Sequence, residues 1–311
     1  MVAVPVTGNA ISGSVQVHDD IDDLNWDSYP IFGPKTVDEA IARVNQAWED
    51  RNDPTKWRSS EEMWNQIYEK YPDIKICGTV GPFHSPSADY QEGWDFAKKH
   101  PDLQYMVDEH YYESTGWFMH HRDYYDSYDR KAPKVYLGEY AASTDVKRPN
   151  VETALAEALY LTDIERNGDI VEMTSYAPML SKDGHSNWNP DMIYFSNTEV
   201  RPTPAYHVQR LFSVYGGDTY VNSKLTVDNS KLAHRLGASV VKDTKTGKTY
   251  VKLVNALPIS LELTVNGLSI PATARTEGFE GKPEDRRLNI KTGEAGTAIV
   301  LPPYSFRAIE L

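Results

Sequence analysis

The stretch "KVYLGEYA", Lys134–Ala141, alternates like a half-buried strand and then delivers a carboxylate, Glu139, to its own end directly after Gly138. Its neighbours on both sides repeat the theme. Upstream lie the apolar run "IKICGTVG", the helix-like "ADYQEGWDFAKKH", the run "LQYMVDEHYY" and a second helix-like segment, "WFMHHRDYYDSYDR". Downstream come "NVETALAEALYLTDIERNG", which reads as helix, and "DIVEMTSYAPML", which reads as strand. Short apolar runs alternating with helices predict parallel βα units. From about Phe212 the texture becomes a period-two alternation broken by Asp-Thr-Lys-Thr-Gly and Asn-Gly turns, which predicts an antiparallel β-sandwich over 212–311.

The remainder frames these regions. Residues 1–35 are strand-like and then irregular, with "HDDIDDLNWDSYPIFGP" reading as loop. From Thr36, "TVDEAIARVNQAWED" predicts a helix with Thr36 as N-cap and Glu39 completing a capping box. "SSEEMWNQIYEKY" predicts another, starting at a serine cap and stopping at Pro72.

Composition narrows the function classes. The 311 residues carry a net charge of -13, which repels phosphate backbones and anionic membranes and predicts a neutral partner. Neither a membrane-length apolar run nor a basic leader with an apolar stretch is visible. The one cysteine, Cys77, excludes an internal disulfide, so the expected location is the cytoplasm. Twenty tyrosines and seven tryptophans suit stacking on sugar rings, as well as building a core.

Three of the parallel runs end in polar groups at one edge: Asp108 to Tyr112, then Glu139 and Tyr140, then Ser175 and Tyr176. Active sites of parallel α/β sheets sit at the carboxyl ends of the strands, where loops vary over a rigid scaffold. A carboxylate framed there by Tyr and His is placed for chemistry on a ligand, whereas alone it would read equally well as a salt-bridged strand end. Asp108, Glu109, His110, His120 and His121 are also potential metal ligands. Asp108 and His110 share a strand face, but His120 and His121 fall on an adjoining helix, so neither a metal nor another cofactor is expected. His84, His185 and His207 read as loop or core histidines.

"ICGTVGPFHS", "MVDEHYYESTGWF", "YDSYDR", "KVYLGEYA", "ERNGDIVEMTSYAPML" and "HSNWNPDMIYFSNTEVRPTPAYHVQRLFS" resemble, in order and spacing, the carboxyl half of the glycoside hydrolase family 51 α-L-arabinofuranosidases. The resemblance runs from about Tyr71 to the C-terminus. It implies a partial (β/α)8 barrel over 36–211 joined to the sandwich, and retaining hydrolysis of arabinofuranosyl side chains of arabinoxylan and arabinan. By the same resemblance Glu139 is the nucleophile, His110 and Tyr112 are pocket residues with the tyrosine hydroxyl bonded to the nucleophile, and Trp188 lies in a loop near the substrate. Tyr176, at the next strand end, joins them as a substrate-binding candidate.

The sequence departs from the family before Tyr71. The family's general acid/base glutamate sits in Gly-Asn-Glu, which is absent here. Counting back places it near Glu49 in "NQAWEDRND", with Trp48 in place of the asparagine and a helical pattern just before it. Glu49 is therefore the weak acid/base candidate, with a solvated helix end as the competing reading; Glu61 and Glu62 stand behind it. A half-barrel leaves sheet edges open, which predicts a homodimer in which each chain covers the other's sheet. Beside the arabinofuranosidase stand an endo-β-1,4-xylanase or glucanase with an open cleft and a non-catalytic carbohydrate-binding remnant.

Overall fold

In a computed structural model of the chain, residues 60–84 and 87–311 are described, with four helical positions between 38 and 46. The expected N-terminal segment, the capping box at Thr36 and Glu49 all lie outside the described residues. The chain divides into two units, 1–76 and 77–311. In the first, helix α1 (Ser60–Lys70) carries Glu61 and Glu62 in its first turn and Lys70 in its last, the order that suits the helix dipole. Both glutamates are exposed.

The second unit opens with the predicted βα alternation. Strands β1 (Cys77–Thr79), β2 (Met106–Ser114), β3 (Lys134–Ser143) and β4 (Val171–Tyr176) form one parallel sheet in the order β1-β2-β3-β4. Between them run helices α2 (Ala88–Lys99), α3 (Thr115–His120) and α4 (Val151–Arg166). Each starts where its cap dictates. Ser87 accepts from the Tyr90 backbone N–H, Ser114 from that of Trp117, and Asn150 and Thr153 exchange bonds in a capping box. A small sheet of β5 (Leu180–Lys182), β6 (Ile193–Phe195) and β7 (Val200–Pro202) follows, then α5 (Pro204–Val214). The expected change of texture at Phe212 thus falls inside a helix.

The remaining strands are antiparallel. Strands β8 (Thr219–Tyr220), β9 (Leu236–Lys242), β10 (Thr249–Asn255), β12 (Arg275–Glu280), β13 (Lys291–Glu294) and β15 (Ser305–Glu310) form a sheet ordered β13-β12-β15-β10-β9-β8. The pair β11 (Leu261–Leu263) and β14 (Ile299–Leu301) packs across Val251, Leu253 and Ile309 to close the sandwich. Helix α4 is buried along most of its length, because it faces the parallel sheet on one side and β9 and β10 on the other. Gly237 permits the close approach: a Cβ there would stand 3.0 Å from Leu159. The fully buried Lys252 on β10 donates to Glu165 of α4 at 2.6 Å, pinning the helix to the sandwich. Among the described residues no helix is long and apolar enough to cross a membrane, and no three His, Cys, Asp or Glu side chains group as a metal site.

Glu157, in the middle of α4, is fully buried, and its Oε1 accepts the Ala142 backbone N–H at 3.0 Å while Oε2 has no described partner. Burial pushes its carboxyl up to about 8, against the pull of that hydrogen bond. The sign follows directly. Between the ordinary carboxyl value and about 8 the folded chain binds a proton that the unfolded chain has released, so stability falls as pH rises through this window. Glu157→Gln keeps the acceptor and removes the ionisation. Its urea midpoint is expected to fall less between pH 5 and 8 than that of the parent, by an amount worth on the order of a few kcal/mol. Equal slopes would show that Glu157 does not hold its proton.

Candidate active site

The site is made by a break in strand parity. Along β2, Asp108, His110 and Tyr112 share one face while Val107, Glu109 and Tyr111 point to the other, where all three are buried. On β3, simple alternation would put Glu139 on the face of Val135 and Leu137, inside the helix-side core. The register prevents this: Glu109 pairs with Leu137, and the next pair is His110 with Glu139, so Gly138 is an extra, unopposed residue. Such a bulge flips every side chain beyond it to the opposite face. Glu139 is thereby delivered to the face of Asp108, His110 and Tyr112.

The contacts follow from that placement. The Tyr112 hydroxyl donates to Glu139 Oε2 at 2.6 Å, and His110 Nδ1 lies 3.6 Å from the same oxygen. Nε2 of His110 donates to Asp108 Oδ2 at 3.0 Å. Glu139 Oε1 has no protein partner among the described residues, and the side chain is 43% exposed, so this oxygen is open to a ligand. Burial, with the hydrogen bond to Glu139 and its charge behind it, pushes the Tyr112 hydroxyl well above the usual phenol range, which keeps it a donor. Burial works to lower His110, but the Asp108 hydrogen bond and the charges of Asp108 and Glu139 outweigh it, and the net direction is up.

Trp188 stands edge-on to Tyr112, ring centroids 5.5 Å apart, and is half exposed at the rim. Its loop is braced from below, where the Tyr194 hydroxyl donates to Asn189 at 2.7 Å and accepts from the Asp191 backbone N–H at 3.2 Å.

Not every strand-end residue joins the cluster. Glu109, Tyr111 and Tyr140, grouped with it in sequence, face the helices because their parity is opposite. Glu109 accepts from Tyr90, Trp94 and Tyr128 on Oε1 and from Tyr125 on Oε2, and acts as the polar centre of an aromatic core. Tyr176 is 4% exposed and packs with Ala141, Met192 and Ala205, its hydroxyl without a described partner. His120, the last residue of α3, stacks on His234, and His121, which caps that helix, stacks on Trp117; neither contacts Asp108 or His110 among the described residues. His84 pairs with Glu113 at 2.9 Å. Sequence reasoning missed the structural role of Gly138, whose only signal is a glycine immediately before the carboxylate in an otherwise apolar strand.

A solvent-facing carboxylate flanked by a tyrosine hydroxyl and an imidazole, with an indole against the tyrosine, is suited to attack on a neutral, hydroxyl-rich ligand. The Alpha-L-arabinofuranosidase C-terminal domain family matches residues 125–305. An extracellular exo-α-L-arabinofuranosidase of Streptomyces chartreusis is 37% identical over 184 residues, 59% of this chain and 22% of that protein. Alpha-L-arabinofuranosidase 1 of Arabidopsis thaliana is 31% identical over 274 residues, 80% of this chain and 38% of that protein. The chain therefore spans well under half the length of these relatives. Among solved structures, an arabinose-bound GH51 α-L-arabinofuranosidase aligns with a TM-score of 0.65 at 24% identity, over 84% of this chain and 43% of that one. The α-L-arabinofuranosidase of Thermotoga maritima, in an arabinose complex, aligns at 0.58 and 15%, over 80% and 60%. These likenesses show the fold, a partial (β/α)8 barrel followed by a β-sandwich. Since the family match takes in more than half of the chain, this protein belongs to the α-L-arabinofuranosidase C-terminal domain family and corresponds to the carboxyl-terminal part of glycoside hydrolase family 51.

Proposed function

We propose that the chain supplies the nucleophile side of a retaining α-L-arabinofuranosidase that removes arabinofuranosyl groups from arabinoxylan or arabinan. The observation that carries this reading is the asymmetry of Glu139: Tyr112 and His110 both engage Oε2, leaving Oε1 as the attacking atom. As Oε1 bonds to the anomeric carbon, the bond from that carbon to the leaving oxygen breaks and a second carboxyl, about 5 Å from the first, protonates the leaving oxygen. Water then attacks the same carbon, gives up a proton to the second carboxyl and frees Glu139. Tyr112 and His110 hold the Oε2 side of Glu139 in place in the resting and product states. Trp188 offers its exposed ring to a sugar face. Glu49, the weak candidate for the second carboxyl, is outside the described residues.

The names of the relatives favour arabinofuranoside over internal xylan bonds and over a non-catalytic remnant. Hydrolysis of an aryl α-L-arabinofuranoside, with no new reducing ends released from unsubstituted xylan, is the expected result; the reverse pattern would replace the reading with an endo-xylanase. We also propose a homodimer, because β1 and β4 each pair on one side only among the described residues. Light scattering at micromolar concentration is expected to give twice the chain mass, and a stable monomer would remove the idea.

A further inference from the structure

We propose that Asp108 is a positioning residue that, together with Glu139, holds His110 as a doubly protonated imidazolium beneath the nucleophile. The proposal rests on the nucleophile reading for its meaning in the reaction, but its geometry stands alone. Both ring nitrogens face carboxylate oxygens: Nε2 is 3.0 Å from Asp108 Oδ2 and Nδ1 is 3.6 Å from Glu139 Oε2. A neutral imidazole has one N–H and one lone pair, so either tautomer would aim a lone pair at an anionic oxygen. Only the imidazolium presents a proton to each.

Two further observations point the same way. Asp108 Oδ1 is buried and has no partner among the described residues. A buried carboxylate oxygen without a donor is costly, and the adjacent ring charge is what offsets it. The space that this oxygen fills exists only because residue 138 is glycine. A Cβ there would stand 1.9 Å from Asp108 Oδ1 and 3.2 Å from His110 Nε2. The bulge that turns Glu139 into the site therefore also seats the carboxylate that charges its neighbour.

The groups facing the ring account for its charge. Asp108 and Tyr112 come from β2 and Glu139 from β3. From β1, Cys77 lies beside Asp108, but burial and that carboxylate push its thiol up to about 12, so it stays neutral. The sign is then fixed. A histidine raised above its ordinary value holds its charge to higher pH than a free imidazole and loses it as pH climbs past the folded value. When Glu139 is esterified its own charge disappears, and Asp108 is the partner that retains the proton. The imidazolium is thus in place when the Glu139 carboxylate must leave the sugar in the second step.

The test follows His110 directly, by NMR of protein with isotope-labelled histidine, the His110 signals being assigned by their absence in His110→Phe. In the parent protein the ring is expected to remain an imidazolium at pH 7. In Asp108→Asn, which keeps shape and removes charge, its titration is expected to drop by about one pH unit or more, the scale of one hydrogen bond to a charged group. Gly138→Ala, which displaces the Asp108 carboxylate without altering either side chain, is expected to reproduce that drop. In parallel, the alkaline limb of kcat/KM should move to lower pH in Asp108→Asn. A neutral His110 in the parent, or an unmoved titration in both variants, would overturn the proposal. So would a uniform loss of rate with the alkaline limb in place, the signature of a merely structural role. None of these NMR outcomes depends on hydrolysis, so the nucleophile reading is judged separately.

Discussion

Glu139→Gln is expected to leave the fold and sugar binding intact while lowering turnover on the order of 10⁴-fold or more. The amide is nearly isosteric, and its oxygen can accept the Tyr112 hydroxyl where Oε2 does now. The side chain is 43% exposed, so no buried packing is lost. What disappears is the second oxygen's ability to form a glycosyl ester. Circular dichroism and a thermal melt should match the parent, calorimetry should still detect arabinose, and steady-state hydrolysis of an aryl arabinofuranoside should be nearly abolished. A variant that keeps a tenth of the parental rate would contradict the role.

The second large effect concerns stability rather than chemistry. Glu109→Leu removes the acceptor shared by Tyr90 at 3.0 Å and by Trp94, Tyr125 and Tyr128 at 2.9 Å each. Some of these donors can regroup, since Tyr90 already meets Tyr128 at 2.7 Å and Tyr125 meets Tyr111 at 3.0 Å. Nε1 of Trp94 has no such recourse. Burial holds the Glu109 carboxyl above its usual range even as the four donors pull it down, so the group is costly to bury and the donors are what make it tolerable. Stranding them is expected to cost about 3–5 kcal/mol, a large share of the stability of an ordinary domain. Urea unfolding should show an earlier midpoint with an unchanged slope. A loss below about 1 kcal/mol would show that the tyrosines repack without their acceptor.

Much of this arrangement is legible in the sequence. The alternation of "LQYMVDEHYY" and "KVYLGEYA" with helical segments predicts β2, β3 and the parallel sheet, and period two places Asp108 and His110 on one face. The same parity separates Glu109 from them, although grouping residues by strand end alone hides it. Glu139 is the instructive case. Its presence at a strand end is visible, but strict alternation assigns it to the core side with Val135 and Leu137, and only the bulge at Gly138 reverses that. A bulge is decided by what lies across the strand, here the Asp108 carboxylate, and no local pattern encodes a neighbour drawn from another strand. Tyr176 is a similar lesson. A polar tip at the active edge reads as a ligand group, yet the small sheet after β4 and helix α5 cover it, burying the ring beside Met192 and Ala205.

The central claim, that Glu139 is the nucleophile, is tested most directly by chemical rescue of Glu139→Gly with azide on an activated aryl α-L-arabinofuranoside. Azide entering the vacated space would bond to the anomeric carbon as the aryl oxide departs, from the face that Glu139 occupies. The predicted product is the β-L-arabinofuranosyl azide, of inverted configuration, formed at a rate that rises with azide concentration. An α-azide, which is what a protein lacking its acid/base carboxyl yields through an intact ester intermediate, would move Glu139 to the other role, and no rescue at all would contradict the assignment.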